Sequence, residues 1–163
     1  MEKDNNTDYI KPINLVNVTY AQTGKSKSTN ELGMREMQAK AYEARSAQYL
    51  LLKAPPASGK SRALMFIALD KLINQGIKKV IVAVPERSIG NSFAPNELKK
   101  YGFYADWELN NRDNLCSPGS DTSKVKAFKE FLQSDEKVLI CTHATLRFAF
   151  EDLQETDFND CLV

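Results

Sequence analysis

The chain has 163 residues, 42% of them hydrophobic and 26% charged, which suits one soluble globular domain with a core of its own. With 22 basic and 21 acidic residues the formal net charge is +1, so no global field draws it to nucleic acid or a membrane, and any nucleic-acid contact must come from a local patch. No apolar run approaches the ~18 residues of a membrane span, the opening MEKDNNTDYIKP has no signal-peptide core, and Cys116, Cys141 and Cys161 lack metal-ligand spacing, so they read as reduced thiols of a cytoplasmic protein.

Residues 1–32 are rich in Asn, Thr, Ser and Lys and read as a polar N-terminal arm, interrupted by one strand candidate, INLVNVTY. From Gly33 the pattern turns helical, with Met34, Met37, Ala41 and Ala44 on one face and Glu36, Lys40 and Glu43 on the other. QYLLLKA (48–54) predicts a fully buried strand, because a continuous apolar run between breakers suits a central parallel strand. A largely apolar helix is expected over 60–74, with Gly76 as its C-terminal stop. KKVIVAVP (78–85) predicts a second buried strand, followed by a helix over 88–101 broken near Pro95, and GFYADWEL predicts a third strand. NNRDNLCSPGSDTS is a loop, dense in turn residues. Ser123 is expected to cap a helix with Val125, Phe128 and Leu132 inward. KVLICT predicts another buried strand, ATLRFAF a short helix, EDLQETDFND an acidic turn and CLV a further strand. Cys141 and Cys161 are expected as small hydrophobes in strands. Buried strands alternating with helices imply an α/β domain with a parallel sheet, ligands being bound at the strands' carboxyl edge.

At that edge lies APPASGKS, residues 54–61. A strand, a loop of inward-facing amides and a helix N-terminus together make an anion cradle, and residues 48–75 supply them in order. In such a loop Lys60 reaches the β- and γ-phosphates, the Ser61 hydroxyl ligates Mg²⁺ and Gly59 permits close backbone approach. Ala54 stands where a first glycine is usual. A second TGKS at 23–26 precedes poor helix material, so Lys25 reads as a solvated loop lysine. His143, the only histidine, has no nucleophile or metal partner near it in sequence and reads as a loop or helix-cap residue.

APPASGKS resembles motif I of superfamily 2 helicases, the DEAD/DEAH-box proteins and their type I and type III restriction-subunit relatives. MREMQ (34–38) resembles their upstream Arg-x-x-Gln motif, with Gln38 lying 22 residues before Lys60. The resemblance implies that Gln38 recognises adenine, since an amide pairs both ways with N6 and N7; the alternative is a surface glutamine on an amphipathic helix. VAVPERSIGNSF (82–93) is similar to motif Ia, and CTHATLRFAF (141–150) to a later strand-end motif. They imply nucleic-acid contacts from Pro85, Arg87 and Thr142, with a solvated arginine as the alternative for Arg87.

The resemblance spans residues 33–163. It implies a RecA-like P-loop NTPase three-layer fold, mainly parallel and incomplete, with Arg35, Gln38, Ala57, Ser58, Gly59, Lys60, Ser61 and Arg62 around ATP and Mg²⁺. It implies nucleic acid as a partner, DNA favoured over RNA, no membrane, and a further C-terminal helicase part or subunit. The family's Asp-Glu pair at a strand end finds no match in Glu151-Asp152 or Asp135-Glu136. The expected activity is therefore ATP binding without turnover, within a family of ATP hydrolases. The alternatives are a non-catalytic P-loop-fold binding module and a small P-loop NTPase or kinase.

Overall fold

Short apolar runs separated by helices fold here as parallel strands. The computed structural model describes residues 13–19, 29–117 and 124–163. Its elements are β1 (Asn14–Asn17), α1 (Glu36–Glu43), β2 (Leu50–Lys53), α2 (Lys60–Asn74), β3 (Lys79–Val84), α3 (Arg87–Gly90), α4 (Lys124–Gln133), β4 (Val138–Thr142), α5 (His143–Glu151) and β5 (Cys161–Leu162). The strands form two sheets, β1-β2 and β4-β3-β5, with every strand pair parallel. This is the α/β class expected, and it is consistent with a partial RecA-like fold.

Helix α2 is the common wall. On one side Ala63 and Ile67 pack with Met37 and Ala41 of α1 and with Val16, Leu50 and Leu52 of the β1-β2 sheet. On the other, Met65, Phe66 and Leu69 join Val80, Val84, Val138 and Ile140. Strand alternation sends Ile81, Leu139 and Cys141 to the opposite face, where Phe128, Phe131 and Ala149 of α4 and α5 cover them. Three layers thus enclose β3 and β4. Burial pushes the Cys141 thiol up to about 12, so this cysteine is an inert core residue.

Among the described residues, the β1-β2 sheet is covered on one face only. Its other face leaves Leu15 59% and Leu51 56% exposed. This corrects the expectation of a fully buried strand at 48–54: Leu50 and Leu52 turn to the helices, but nothing among the described residues covers Leu51. An apolar cleft of about 490 Å³ opens beside it, lined by residues of β2, α2, β3 and β5, including Leu51, Ile67, Ile81 and Leu162.

Two further expectations fail between residues 88 and 109. The predicted helix is one turn, Arg87–Gly90, followed by 3-10 turns at Asn91–Phe93 and Lys99–Tyr101. Ala94 is extended at ψ 156°, as the residue before a proline prefers, and Pro95 has no N–H to continue a helix. The predicted strand at 102–109 makes a single antiparallel bridge, Asn96 to Trp107. Its aromatics serve the core instead: Phe103 and Trp107 are buried, and Trp107 Nε1 donates to Phe93 O at 2.8 Å. Ser123 and the Lys25 loop lie outside the described residues.

Candidate nucleotide-binding site

The loop between β2 and α2 is tightly wound. Ser58 N–H donates to Pro55 O, Ala57 sits at φ 55° and Gly59 at φ 89°. The left-handed φ favours glycine at 59, and a Cβ there would lie 2.7 Å from Gln38 Nε2, so the glutamine amide would have to shift. Gly59 then caps α2, and its carbonyl accepts from Ala63 N–H. The 15-residue helix ends where Gly76 takes φ 75°.

Lys60, the first residue of α2, folds back over the loop. Its ammonium donates to Ala54 O at 2.9 Å and to Pro55 O at 2.8 Å. A cation is therefore fixed inside the loop, at the positive end of a helix that has no acidic residue in its first turn. Ser58 Oγ is buried there without a partner. Ser61 follows, half-buried. Arg62 lays its guanidinium over the Tyr101 ring, 4.5 Å from its centroid, with Nε and Nη2 buried and unpartnered.

Gln38 is 3% exposed. Its Oε1 accepts from Arg35 N–H at 2.9 Å, completing the cap of α1, and its Nε2 donates to Gly59 O at 3.2 Å. Arg35 is exposed at the helix start. The structure thus brings Arg35, Gln38 and the 57–61 loop together, with Arg62 alongside.

Pro85, Arg87 and Thr142 form a neighbouring edge. Val84 and Thr142 are register partners, so Pro85 and Thr142 end adjacent strands. Pro85 and Arg87 are exposed, and Arg87 Nη2 donates to Ser117 O at 3.2 Å. Thr142 caps α5: its Oγ1 accepts from Thr145 N–H and lies 3.0 Å from Thr145 Oγ1. His143 begins that helix. Asp152 pairs with Lys129 at the far end of α5, and Asp160 pairs with Lys78 at the amino end of β5. Both acids lie at the edge opposite the carboxyl ends of the strands.

A tight loop thus joins a parallel strand to a helix, with the helix-capping Gln38 against it. The chain is 65% identical over 150 residues to the protein of Bacillus subtilis (strain 168) named "Putative ATP-dependent helicase YeeB". The match covers 92% of this chain and 25% of that protein, so the chain spans about a quarter of its relative's length. No family model matches the chain, and no solved structure matches it.

One cluster escaped the sequence reading. Asp70, in the third turn of α2, is 4% exposed and bonded to five side chains. Tyr42 Oη, Tyr104 Oη and Asn74 Nδ2 each donate to its Oδ1 at 2.9 Å; Gln75 Nε2 donates to Oδ2 at 2.6 Å, and Arg45 Nε lies 3.3 Å from Oδ2. Burial alone would raise its pKa, but the bonds from Asn74, Gln75, Tyr104 and Tyr42 prevail and hold the carboxyl at about 2. The signal available in sequence was an aspartate inside an apolar helical run, where an unpaired charge is too costly to stand alone.

Proposed function

We propose that the chain is the ATP-binding portion of an ATP-dependent nucleic-acid helicase or translocase of the superfamily 2 type, a partial RecA-like domain at residues 33–163 to which the polar N-terminal stretch adds strand β1. The observation that carries the reading is the Lys60 ammonium held inside the 54–59 loop at the N-terminus of α2. Two backbone carbonyls hold the cation where a phosphate group would replace them. The buried Ser58 Oγ, a hydroxyl donor without a protein partner, supports the fit of such a group.

In this reading Lys60 binds the β- and γ-phosphates, the amides of Ala57–Arg62 orient them, and Ser61 Oγ ligates Mg²⁺. The bound group supplies a transferable phosphoryl whose charge the metal shares. Gln38 reads adenine from beside Gly59, with Arg35 at the rim. Pro85, Arg87 and Thr142 offer the strand-end edge to a nucleic-acid backbone, DNA favoured over RNA. Asp152 and Asp160 stand at the far edge, so neither orients a water at the phosphates, and the 163-residue chain turns over no ATP by itself.

One observation favours a second reading, a non-catalytic binding module of P-loop fold. The uncovered Leu15–Leu51 face and the cleft beside it suit a partner protein.

Titration with Mg-ATP decides between them. The first reading predicts saturable binding that Lys60→Ala weakens by about 100-fold or more, an order expected when a desolvated charge contact of ~3 kcal/mol is lost. Equal affinity in the two proteins overturns it.

A further inference from the structure

We infer that Asp70 is a positioning residue for the nucleotide site: by pinning the end of α1 to α2 it holds Gln38 against the phosphate loop and thereby sets the preference for adenine. The inference deepens the proposed function and rests on its assignment of Gln38.

Helix α1 meets α2 at two polar points. The first is Gln38 Nε2 on Gly59 O. The second is the Asp70 carboxylate, which takes the Tyr42 hydroxyl and the Arg45 guanidinium. Gln38 and Tyr42 are four residues apart, so they share one face of α1. Arg45 reinforces the second point, stacking 4.4 Å from the Tyr42 ring centroid and donating to Tyr42 O. Gln75 Nε2 bonds Arg45 O as well as Asp70 Oδ2.

These bonds matter because they add direction to the packing that holds α1. It has eight residues, too few to hold a helix by itself. The apolar contact beneath it is made by Met37 and Ala41 on Ala63 and Ile67, and apolar contact is non-directional. The two polar points therefore give the register of α1 on α2 its directional part. Releasing the Asp70 point leaves Gln38 attached through one 3.2 Å bond to a carbonyl that also caps α2. Lys60 has no bond to this cluster; its partners are Ala54 and Pro55. Base reading and phosphate grip are thus separable.

The test measures affinity for Mg-ATP, Mg-GTP and inorganic triphosphate in the unmodified chain, Asp70→Asn and Tyr42→Phe. The expected result is that the ATP-to-GTP affinity ratio falls about fivefold in both variants, the weight of one hydrogen bond, while triphosphate affinity changes less than about twofold. Tyr42→Phe leaves the carboxylate with four of its partners, so it carries the test even if Asp70→Asn does not fold. A purely structural Asp70 would lower the melting temperature and leave the ratio intact in folded Tyr42→Phe; that result overturns the inference, as does a parallel loss of triphosphate affinity. Equal binding of ATP and GTP by the unmodified chain would instead overturn the base-reading role of Gln38, and the inference with it.

Discussion

Helix α2 separates two regions built on different terms. On its β3-β4 side the sheet is sandwiched, with Phe66 and Leu69 on one face and Phe128 and Phe131 on the other. On its β1-β2 side the described residues cover one face of the sheet, and directional polar bonds tie α1 and the loop to α2 and neighbouring segments: Gln38 to Gly59, Lys60 to Ala54 and Pro55, and Asp70 to its five partners. The contrast teaches where stability and chemistry are divided. Apolar layering is insensitive to small shifts of direction and makes a scaffold. Polar bonds hold particular atoms at particular places, as a binding site demands, and they can be exchanged for bonds to a ligand.

The largest expected effect breaks the scaffold alone. Phe128, fully buried between α4 and the sheet, should cost about 3–5 kcal/mol of unfolding free energy when cut to alanine. Chemical denaturation measures this, and the nucleotide affinity of the folded fraction should stay at the unmodified value. A comparable loss of affinity would mean that the two regions are not separable.

A smaller effect sharpens the polar side. Asp70→Asn should cost about 2 kcal/mol near neutral pH, since hydrogen bonds to a charged group carry ~1.5–3 kcal/mol. The sign with pH follows from the depressed pKa. The carboxylate's contribution is fully present above the ordinary value of 3.8 and is lost as pH falls through about 2. Urea midpoints of the two proteins should therefore differ at pH 7 and converge between pH 4 and 2. A gap that widens on acidification would contradict the charge assignment.

The smallest effect belongs to the uncovered face. Leu51→Thr should change stability by less than about 0.5 kcal/mol, because the side chain is already 56% exposed and threonine suits a strand. A thermal melt checks this. A loss of several kcal/mol would show that something covers this face in solution.

Much of this division can be read from the sequence, but unevenly. The runs that became β2, β3 and β4 are short, apolar and bounded by breakers, and α2 falls on residues 60–74 as its pattern and Gly76 suggest. GKS after a strand places Lys60 and Ser61 at the start of α2, because a strand–loop–helix turn depends on local chain order. The strand expected at 102–109 fails for a tertiary reason: Phe103 and Trp107 are spaced as in a strand, but their burial comes from single side chains plugging the core beside α2. The exposure of Leu51 depends on what lies above the sheet, which no local pattern encodes. Asp70 was missed for a related reason: Tyr42 and Tyr104 come from 28 and 34 residues away, and only tertiary packing makes an aspartate in an apolar helix affordable.

In the proposed function the 54–61 loop is a phosphate cradle whose lysine rests on its own backbone. A crystal structure of the chain with Mg²⁺ and a non-hydrolysable ATP analogue tests this most directly. The expected result is a triphosphate enclosed by the amides of 57–62, with Lys60 Nζ moved from the Ala54 and Pro55 carbonyls to the phosphate oxygens and the Ser58 hydroxyl newly bonded. An analogue bound elsewhere, or Lys60 still on those two carbonyls at full occupancy of the ligand, would contradict it.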